Sequence, residues 1–438
     1  MFLNRLLTLV VIAIPCMAQF AGPAILSRGE APAEMVDAPI SFRPYLDVTT
    51  VYTNGLAGLA VTDQGALAAT TGYGVEVAGG IAGFHMWRHT RVGLQYRGAL
   101  RHYSQGTYSD YSDQSLLLGV IHQFSRHATF SLQQSAGMST LPTGLPGLAS
   151  TVPFDPSITY RPNTDFFDNR TVFAVTQADF VLQKSARLSF DVGGAGFLNR
   201  FRSTALYGVT GASARGDVQY RVGRRTTIGT AYAFNHFSFN RVLSSTDYHT
   251  FSGTLASRLS KRLEISAYGG VGRAETKIEQ GVPIDPVIAA LLGVSHSSQI
   301  VHSIIWTPNV NARLSRTFHH GVAYVSGGRT ITPGNGLFLT SKTNTVLGGV
   351  TYTGVRHSSL TTQVQYMGAT SIGNILGNYA DVSAGISATR EIRSGVSALL
   401  AVNATQYQSG SFVNYNHLIF NVSAGLRIST ESLPLRVW

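Results

Sequence analysis

The strongest constraint on this chain is a period-two alternation of polar and apolar side chains that recurs along most of its length. In the stretch 91–101, one set of alternate positions carries arginine, glycine, glutamine and alanine, and the positions between them carry mainly valine, leucine and tyrosine. The same pattern is present in 211–222 and, with an exception at Ile419, in 417–427. Successive side chains of a β-strand point to opposite faces. Each stretch therefore predicts a strand with one polar and one apolar face.

We predict about eighteen such strands, or sixteen if one hairpin is miscounted. They are expected near residues 43–53, 72–86, 90–103, 114–124, 127–137, 170–183, 187–198, 208–222, 226–240, 247–260, 263–275, 299–315, 319–332, 341–355, 358–370, 378–390, 394–408 and 414–429. This series is typical of an all-β fold, a single transmembrane antiparallel up-and-down β-barrel whose apolar faces point out and whose polar faces point in.

The connections between the predicted strands alternate in length. Every second connection is short and basic, as at 88–89, 223–225 and 260–262, whereas the intervening ones are mostly longer and some are acidic. Bacterial outer-membrane barrels have short turns on the periplasmic rim and long loops on the extracellular rim. The pattern therefore predicts periplasmic basic turns and, with an even number of strands, both chain ends on that side.

The composition agrees with strands that have one polar face. Charged residues make up 13% of the chain, against about 25% in ordinary soluble domains, and the mean hydropathy is +0.10. The formal net charge is +11. The arginines recur at intervals along the chain instead of forming one patch, so we expect no nucleic-acid partner.

The N-terminus has the features of an export signal. Arg5 precedes an apolar run at 6–14, and small residues around Ala18 provide a cleavage site, which predicts a cleaved Sec signal peptide over 1–18. We expect a periplasmic segment at 19–41 and the barrel at 42–438. The chain's one cysteine is Cys16, so the mature chain would have neither disulfides nor thiol catalysis.

The end of the chain and its turns carry a family resemblance. The last residues are Leu433-Pro434-Leu435-Arg436-Val437-Trp438, and several short turns read Ser-Arg or Ser-Lys-Arg. In these features the chain resembles uncharacterised outer-membrane β-barrel proteins of the acidobacterial kind, over most of its mature length. The resemblance implies a location in the bacterial outer membrane and insertion by the barrel-assembly machinery, for which a C-terminal aromatic residue is the signal. It implies no catalytic residues.

The polar faces of the strands are expected to line the lumen, the interior of the barrel. We place there nine arginines against five acids, namely Asp179, Asp191, Asp217, Glu264 and Asp381. Such side chains either tune ion selectivity or pair across strands, and pairing is the preferred interpretation for Asp217, which lies close to Arg215 and Arg221 on one face. The nine arginines are Arg91, Arg97, Arg101, Arg215, Arg221, Arg258, Arg313, Arg329 and Arg427.

Two long loops are expected on the extracellular rim, at 138–169 and 276–298. The second contains a short apolar run after Pro286, which we expect to fold over or into the barrel mouth. Its role is either a constriction or a cover for the rim, and the residues that would form a constriction are Val287, Ile288, Leu291 and Leu292.

These observations favour a porin-like channel for the passive passage of small polar solutes, with a mild preference for anions. The first alternative is a structural or surface-interaction barrel with an occluded lumen. A lipid-modifying or proteolytic barrel enzyme is the third hypothesis, but no Gly-x-Ser-x-Gly motif is present, and we expect no enzyme activity, cofactor or metal. Outer-membrane lipid and lipopolysaccharide are expected partners, and a homotrimer is one assembly that such a barrel could form.

Overall fold

A computed structural model describes residues 38–61, 67–104, 111–139, 171–202, 206–283, 296–334, 336, 339–372, 377–409, 418–430 and 433–435. The strands within these ranges are β1 (Ala38–Val61), β2 (Leu67–Met86), β3 (Thr90–Tyr103), β4 (Tyr111–Ser125), β5 (Ala128–Ser139), β6 (Thr171–Gln183), β7 (Leu188–Phe201), β8 (Val209–Arg221), β9 (Thr226–Phe239), β10 (Ser245–Arg258), β11 (Leu263–Pro283), β12 (His296–Phe318), β13 (Gly321–Thr332), β14 (Ser341–Tyr352), β15 (Ser358–Ser371), β16 (Asn378–Arg393), β17 (Val396–Ser409), β18 (Leu418–Ser429) and β19 (Leu433–Leu435).

The strands form a closed antiparallel barrel. Each of β1 to β17 pairs with the next strand along the chain, and β1 also pairs with β18, in a register that runs from Tyr45↔Ser429 to Asn54↔Phe420. This closure leaves no free edge in the wall. It confirms the prediction of an all-β barrel with about eighteen strands, and the alternative of sixteen was wrong.

The end of the chain also adds a short strand that the period-two pattern did not predict. That pattern stops near Ile428, but Leu433–Leu435 pairs with the 40–42 segment of β1. The seam between the first and last strands is therefore extended by β19.

The two faces of the wall differ as the alternation predicts. Outward positions carry large apolar side chains that remain exposed, among them Leu100 at 67%, Val192 at 61% and Trp306 at 66%. The inward positions between them carry polar side chains or small residues, as at Arg97 and Ala99 on β3. An apolar outer face of this kind is what a barrel presents to lipid.

The Ser-Arg turns have a local structural cause. Ser185 Oγ accepts hydrogen bonds from the backbone N–H groups of Arg187 and Leu188, at 3.2 and 3.0 Å. Ser125 and Ser260 accept equivalent bonds, each from the backbone N–H two residues on. A serine hydroxyl that caps its own turn in this way stabilises a tight connection, so the motif fixes the short-turn rim.

Several predictions fall on parts of the chain outside the described residues. These are the signal peptide at 1–18, most of the segment at 19–41 and most of the 138–169 loop. The barrel begins earlier than expected, because β1 starts at Ala38 instead of residue 42. No helix among the described residues is long and apolar enough to cross a membrane.

Candidate functional site

The inward face near the seam carries a tightly bound ion pair. Arg427 on β18 donates from Nε and from a terminal guanidinium nitrogen to the two carboxylate oxygens of Asp47 on β1, each at 2.7 Å. The same guanidinium carbon lies 4.9 Å from the ring centroid of Tyr45. Asp47 is 2% exposed, so this pair satisfies a carboxylate that is cut off from water.

The neighbouring strands continue the same charged surface. Glu76 on β2 accepts hydrogen bonds from Arg97, at 2.7 Å, and from Arg101, both on β3. Further along β3, the Arg91 guanidinium lies 5.3 Å from the ring centroid of Phe84. We call this inward surface of β18, β1, β2 and β3 the basic wall, because guanidinium groups, among them those of Arg427, Arg97, Arg101 and Arg91, outnumber the carboxylates of Asp47 and Glu76 there.

Sequence reasoning missed both of these carboxylates. The alternation in the sequence places Asp47 on the inward face, because its neighbours Leu46 and Val48 are apolar. Both neighbours lie on the outer face, where they are 44% and 43% exposed. Glu76 likewise lies between Val75 and Val77. The two acids reduce the arginine excess that the sequence predicted for the lumen.

On a second charged surface, formed by β6, β7 and β8, carboxylates outnumber guanidinium groups. Arg215 donates to Asp179 Oδ1 at 2.8 Å, and Gln177 donates to Asp179 Oδ2 at 2.8 Å. Gly193 lies between Asp179 and Arg215 in the sheet, and a Cβ added there would collide with Asp179 Oδ1. The glycine therefore leaves the space in which the Arg215 side chain reaches across a strand.

Asp191 and Asp217 complete this surface, which we call the acidic wall. They are direct partners in the β7–β8 ladder, so their side chains lie side by side on the inward face. Three carboxylates and one guanidinium group meet here. Arg215 bonds Asp179 and also interacts electrostatically with Asp217, so the pairing predicted for Asp217 with Arg215 stays a prediction.

The other predicted lumen residues lie elsewhere on the inner face. The Arg313 guanidinium is 4.8 Å from the ring centroid of Tyr324, and Asp381 accepts a 3.1 Å hydrogen bond from the Tyr379 hydroxyl. Arg221 donates to the backbone carbonyls of Gly223 and Arg224 at the short-turn rim. Arg258 forms a 2.9 Å ion pair with Glu264, and both side chains are largely exposed.

Arg329, which the sequence places in the lumen, lies at the end of the wall that β12 and β13 form together. Arg329 pairs with Val310 on β12 and with Asn344 on β14, and paired residues share a face of the sheet. Val310 is 40% exposed on the outer face. Arg329 shares its parity on β13 with the outward Val325 and also with Ile331, which is 0% exposed, so its place in the lumen stays a prediction.

The lumen is narrowed by the end of the β13–β14 hairpin. β13 pairs with β12 only as far as Arg329↔Val310, although β12 continues to His296. Beyond that point β13 separates from β12, while β14 stays paired with β15 as far as Ser341↔Ser371. Ile331 packs at 0% exposure in one cluster with Phe237 and Tyr248, which project inward from β9 and β10. The end of the hairpin thus packs against the inner surface of the long-loop half of the barrel.

Hydrogen bonds hold the connection of this hairpin in place. The Tyr207 N–H, from the β7–β8 connection, donates to the Gly336 carbonyl at 2.9 Å. Thr340 Oγ1 lies 2.6 Å from Thr246 Oγ1 on β10, and the Thr340 carbonyl accepts from the Ile372 N–H at 2.9 Å. Bonds to three separate parts of the rim hold the described residues of this connection, which we call the constriction element: Pro333, Gly334, Gly336, Leu339 and Thr340.

The constriction predicted at Val287, Ile288, Leu291 and Leu292 lies outside the described residues. Part of the loop expected there is strand, because β11 extends to Pro283 and β12 begins at His296. The constriction element that the structure does describe was not predicted. Its signal was the sequence Pro333-Gly334-Asn335-Gly336, since consecutive turn-forming residues allow a sharp change of direction.

Comparison with known proteins finds solved structures that align with most of this chain, but with low sequence identity. No family model matches the chain, and no curated protein matches it. Among solved structures, the chain is similar to Pseudomonas aeruginosa OccK5 (OpdH), with 11% identity, a TM-score of 0.42 and coverage of 90% of this chain and 98% of that one. OccK2 (OpdF) from the same organism, solved in complex with glucuronate, has 9% identity, a TM-score of 0.42 and the same coverage. OpdK with vanillate has 11% identity, a TM-score of 0.41 and coverage of 89% and 98%.

Proposed function

We propose that this protein is a porin-like channel of the bacterial outer membrane, through which small polar solutes pass passively. The observation that carries the proposal is the closed barrel of eighteen long strands, with an apolar outer face and a charged inner face. Barrels of sixteen to eighteen strands are wide enough to enclose an aqueous channel. The proposal includes no catalytic step.

The proposed location in the outer membrane is supported by the difference between the apolar outer face and the polar inner face of the barrel wall. Within the described strands, exposed valine, leucine, isoleucine and aromatic side chains occur on the outward face around the whole barrel. A soluble protein would not leave an apolar surface of this extent in water. Export by a signal peptide at 1–18, insertion by the barrel-assembly machinery, contacts with lipopolysaccharide, homotrimer formation and the acidobacterial likeness remain predictions from the sequence.

The expected preference for anions rests on the basic wall. Guanidinium groups outnumber carboxylates there, so this surface carries a local excess of positive charge. The acidic wall carries the opposite excess. A solute that carries a carboxylate or phosphate group is therefore expected to pass along β18, β1, β2 and β3 instead of β6, β7 and β8.

Single-channel recording in planar bilayers tests the channel. We expect stable conductance steps and, in a salt gradient, a reversal potential of the sign given by faster passage of chloride than of potassium. The Arg97→Gln/Arg101→Gln double variant removes two positive charges from the basic wall and should lower the chloride-to-potassium permeability ratio. Arg258→Gln is the matched control, because this exposed rim arginine forms its pair with Glu264 away from the basic wall. A lack of conductance steps in correctly folded protein would contradict the proposal.

The second candidate, an interaction barrel with an occluded lumen, is favoured by one observation. The apolar cluster around Phe237 and the constriction element fill part of the long-loop half of the barrel. In an occluded barrel, replacing residues 333–340 with a short glycine and serine linker would open a pore where the natural protein has none. In a channel, the same replacement would increase a conductance that already exists.

A further inference from the structure

The outer face of the barrel has a groove near the long-loop rim, across β2 to β7. The groove has a volume of about 840 Å³. Gly79 and Gly98 are direct partners on the same face, so they add no side chain beside the groove on its short-turn side. The outward side chains that form its floor are apolar and between 43% and 67% exposed, namely Val75, Val77, Leu100 and Val172.

Two arginines line the same groove at the end of β7. Arg200 pairs with Val172 in the β6–β7 ladder, so its side chain shares the outward face, and Arg202 follows the last residue of the strand, Phe201. Both arginine side chains are exposed. None of the ion pairs between described residues includes either of them. Two positive charges thus border an apolar groove, and the described residues that line it include no acid.

The position of Arg200 along β7 places its side chain at the level of lipid headgroups. Arg200 is the last residue but one of β7, a strand of 14 residues that begins at Leu188. At about 3.3 Å per residue and a strand tilt of roughly 40°, it lies roughly 30 Å from Leu188 along the barrel axis. The apolar band of an outer-membrane barrel is about 25 Å tall. Arg200 is therefore expected at the boundary between acyl chains and headgroups, on the long-loop side.

The width of the groove favours a lipid with more than two acyl chains. The groove reaches from Val75 on β2 to Arg200 on β7. These strands are five spacings of about 4.8 Å apart, which is about 24 Å along the wall. A phospholipid has two acyl chains, whereas the lipid A part of lipopolysaccharide has several, together with phosphate groups on its sugars. Lipopolysaccharide occupies the outer leaflet, which the long-loop rim is predicted to face.

We propose that this groove binds one molecule of lipopolysaccharide through its lipid A part, with a phosphate group held by Arg200 and Arg202 and acyl chains lying on the apolar floor. A guanidinium group binds phosphate through paired, charge-assisted hydrogen bonds. Acyl chains are already among apolar groups in the bilayer, so the arginines supply the preference for this lipid and the groove positions it. The inference rests on the proposed location in the outer membrane, but not on the passage of solutes.

Native mass spectrometry of the barrel, refolded in detergent and titrated with lipid A, tests the site. The natural protein should retain one lipid A molecule and bind it about tenfold more tightly than phosphatidylglycerol or lipid A without its phosphates. The Arg200→Gln/Arg202→Gln double variant should lose this preference. Lys277→Gln is the matched control, because it removes an exposed outward cation of β11, away from the groove, and it should bind lipid A as the natural protein does.

A second variant keeps both arginines and blocks one of them. Val172 is the direct partner of Arg200, so the carboxylate in Val172→Glu pairs with the guanidinium across the strands and competes with the phosphate. Val172→Glu should weaken the binding of lipid A about tenfold, whereas Val172→Gln, which has the same shape without the charge, should not. Equal binding by these two variants would overturn the proposal.

Three other results would also contradict the lipid site. They are unchanged lipid A binding in the double arginine variant, equally tight binding of phosphatidylglycerol, and displacement of lipid A by millimolar inorganic phosphate. Circular dichroism of each variant checks that the strand content is that of the natural protein, so that a loss of binding reports on the groove.

Conductance of the same samples in planar bilayers separates this proposal from the channel. Lipid A binding by a barrel without conductance would overturn the channel and leave the lipid site standing. Conductance without a preference for lipid A would overturn the lipid site and leave the channel standing.

Discussion

The ion pair at the barrel seam predicts unequal effects when each partner is removed. Asp47 and Arg427 join β1 to β18 through two hydrogen bonds of 2.7 Å, but their exposure differs: the Asp47 side chain is 3% exposed and that of Arg427 is 36% exposed. In Arg427→Gln, a buried carboxylate loses its counter-ion. In Asp47→Asn, the guanidinium that remains can reach the water of the lumen.

The expected magnitudes follow from that difference. Leaving one partner of a buried pair uncompensated costs about 3–5 kcal/mol. We expect Arg427→Gln to lower the free energy of unfolding by about 3 kcal/mol, at the low end because the pair is partly open to water. Asp47→Asn should cost about 1 kcal/mol, the range of a partly exposed pair. The double variant should cost less than the sum of the two single changes, since the Arg427→Gln penalty depends on a charged Asp47.

Unfolding in urea measures these values, with the barrel in lipid vesicles and tryptophan fluorescence as the signal. Arg258→Gln is the control, because its pair with Glu264 has side chains that are 42% and 54% exposed and should contribute less than about 1 kcal/mol. An Asp47→Asn cost equal to or above that of Arg427→Gln, or strict additivity in the double variant, would refute the reasoning.

Three further changes test the constriction element and the assignment of faces. Phe237→Ala removes a side chain that is 0% exposed and should lower the free energy of unfolding by about 3–5 kcal/mol; a loss below about 1 kcal/mol in the same urea assay would contradict the packed cluster. Gly336→Val places a side chain at φ 84°, with the Phe201 ring 2.7 Å from the new Cβ, so we expect a cost of about 1–3 kcal/mol and a larger single-channel conductance as the constriction is displaced. Arg329→Leu tests the predicted place of Arg329 in the lumen: it should lower the chloride-to-potassium permeability ratio, because it removes a positive charge from the channel, and an unchanged ratio would place Arg329 on the outward face with Val325.

The strand positions were largely predictable because alternation is a local property. Residues 90–103 were predicted as a strand and form β3 with the same bounds. The largest boundary errors occur where the alternation no longer separates a polar from an apolar face. β11 and β12 pair as far as Pro283↔His296, beyond the point at which β12 stops pairing with β13.

The predicted lumen left out Asp47 and Glu76, although their parity placed them inward. Strict parity would have included both. It would not have predicted the bond between Arg215 and Asp179, because the space for that bond depends on Gly193 in the strand between them.

By itself the sequence determined the barrel, the approximate strand number and which rim carries the short turns. Each of these follows from neighbouring residues, through the two-residue period of a strand and the turn-capping serines. Only the tertiary structure decided the seam and the constriction. Asp47 and Arg427 meet across 380 residues of sequence, and the β13–β14 hairpin turns inward because it finds apolar partners on β9 and β10. Contacts of that range depend on closure of the whole wall, and no local pattern in the chain records them.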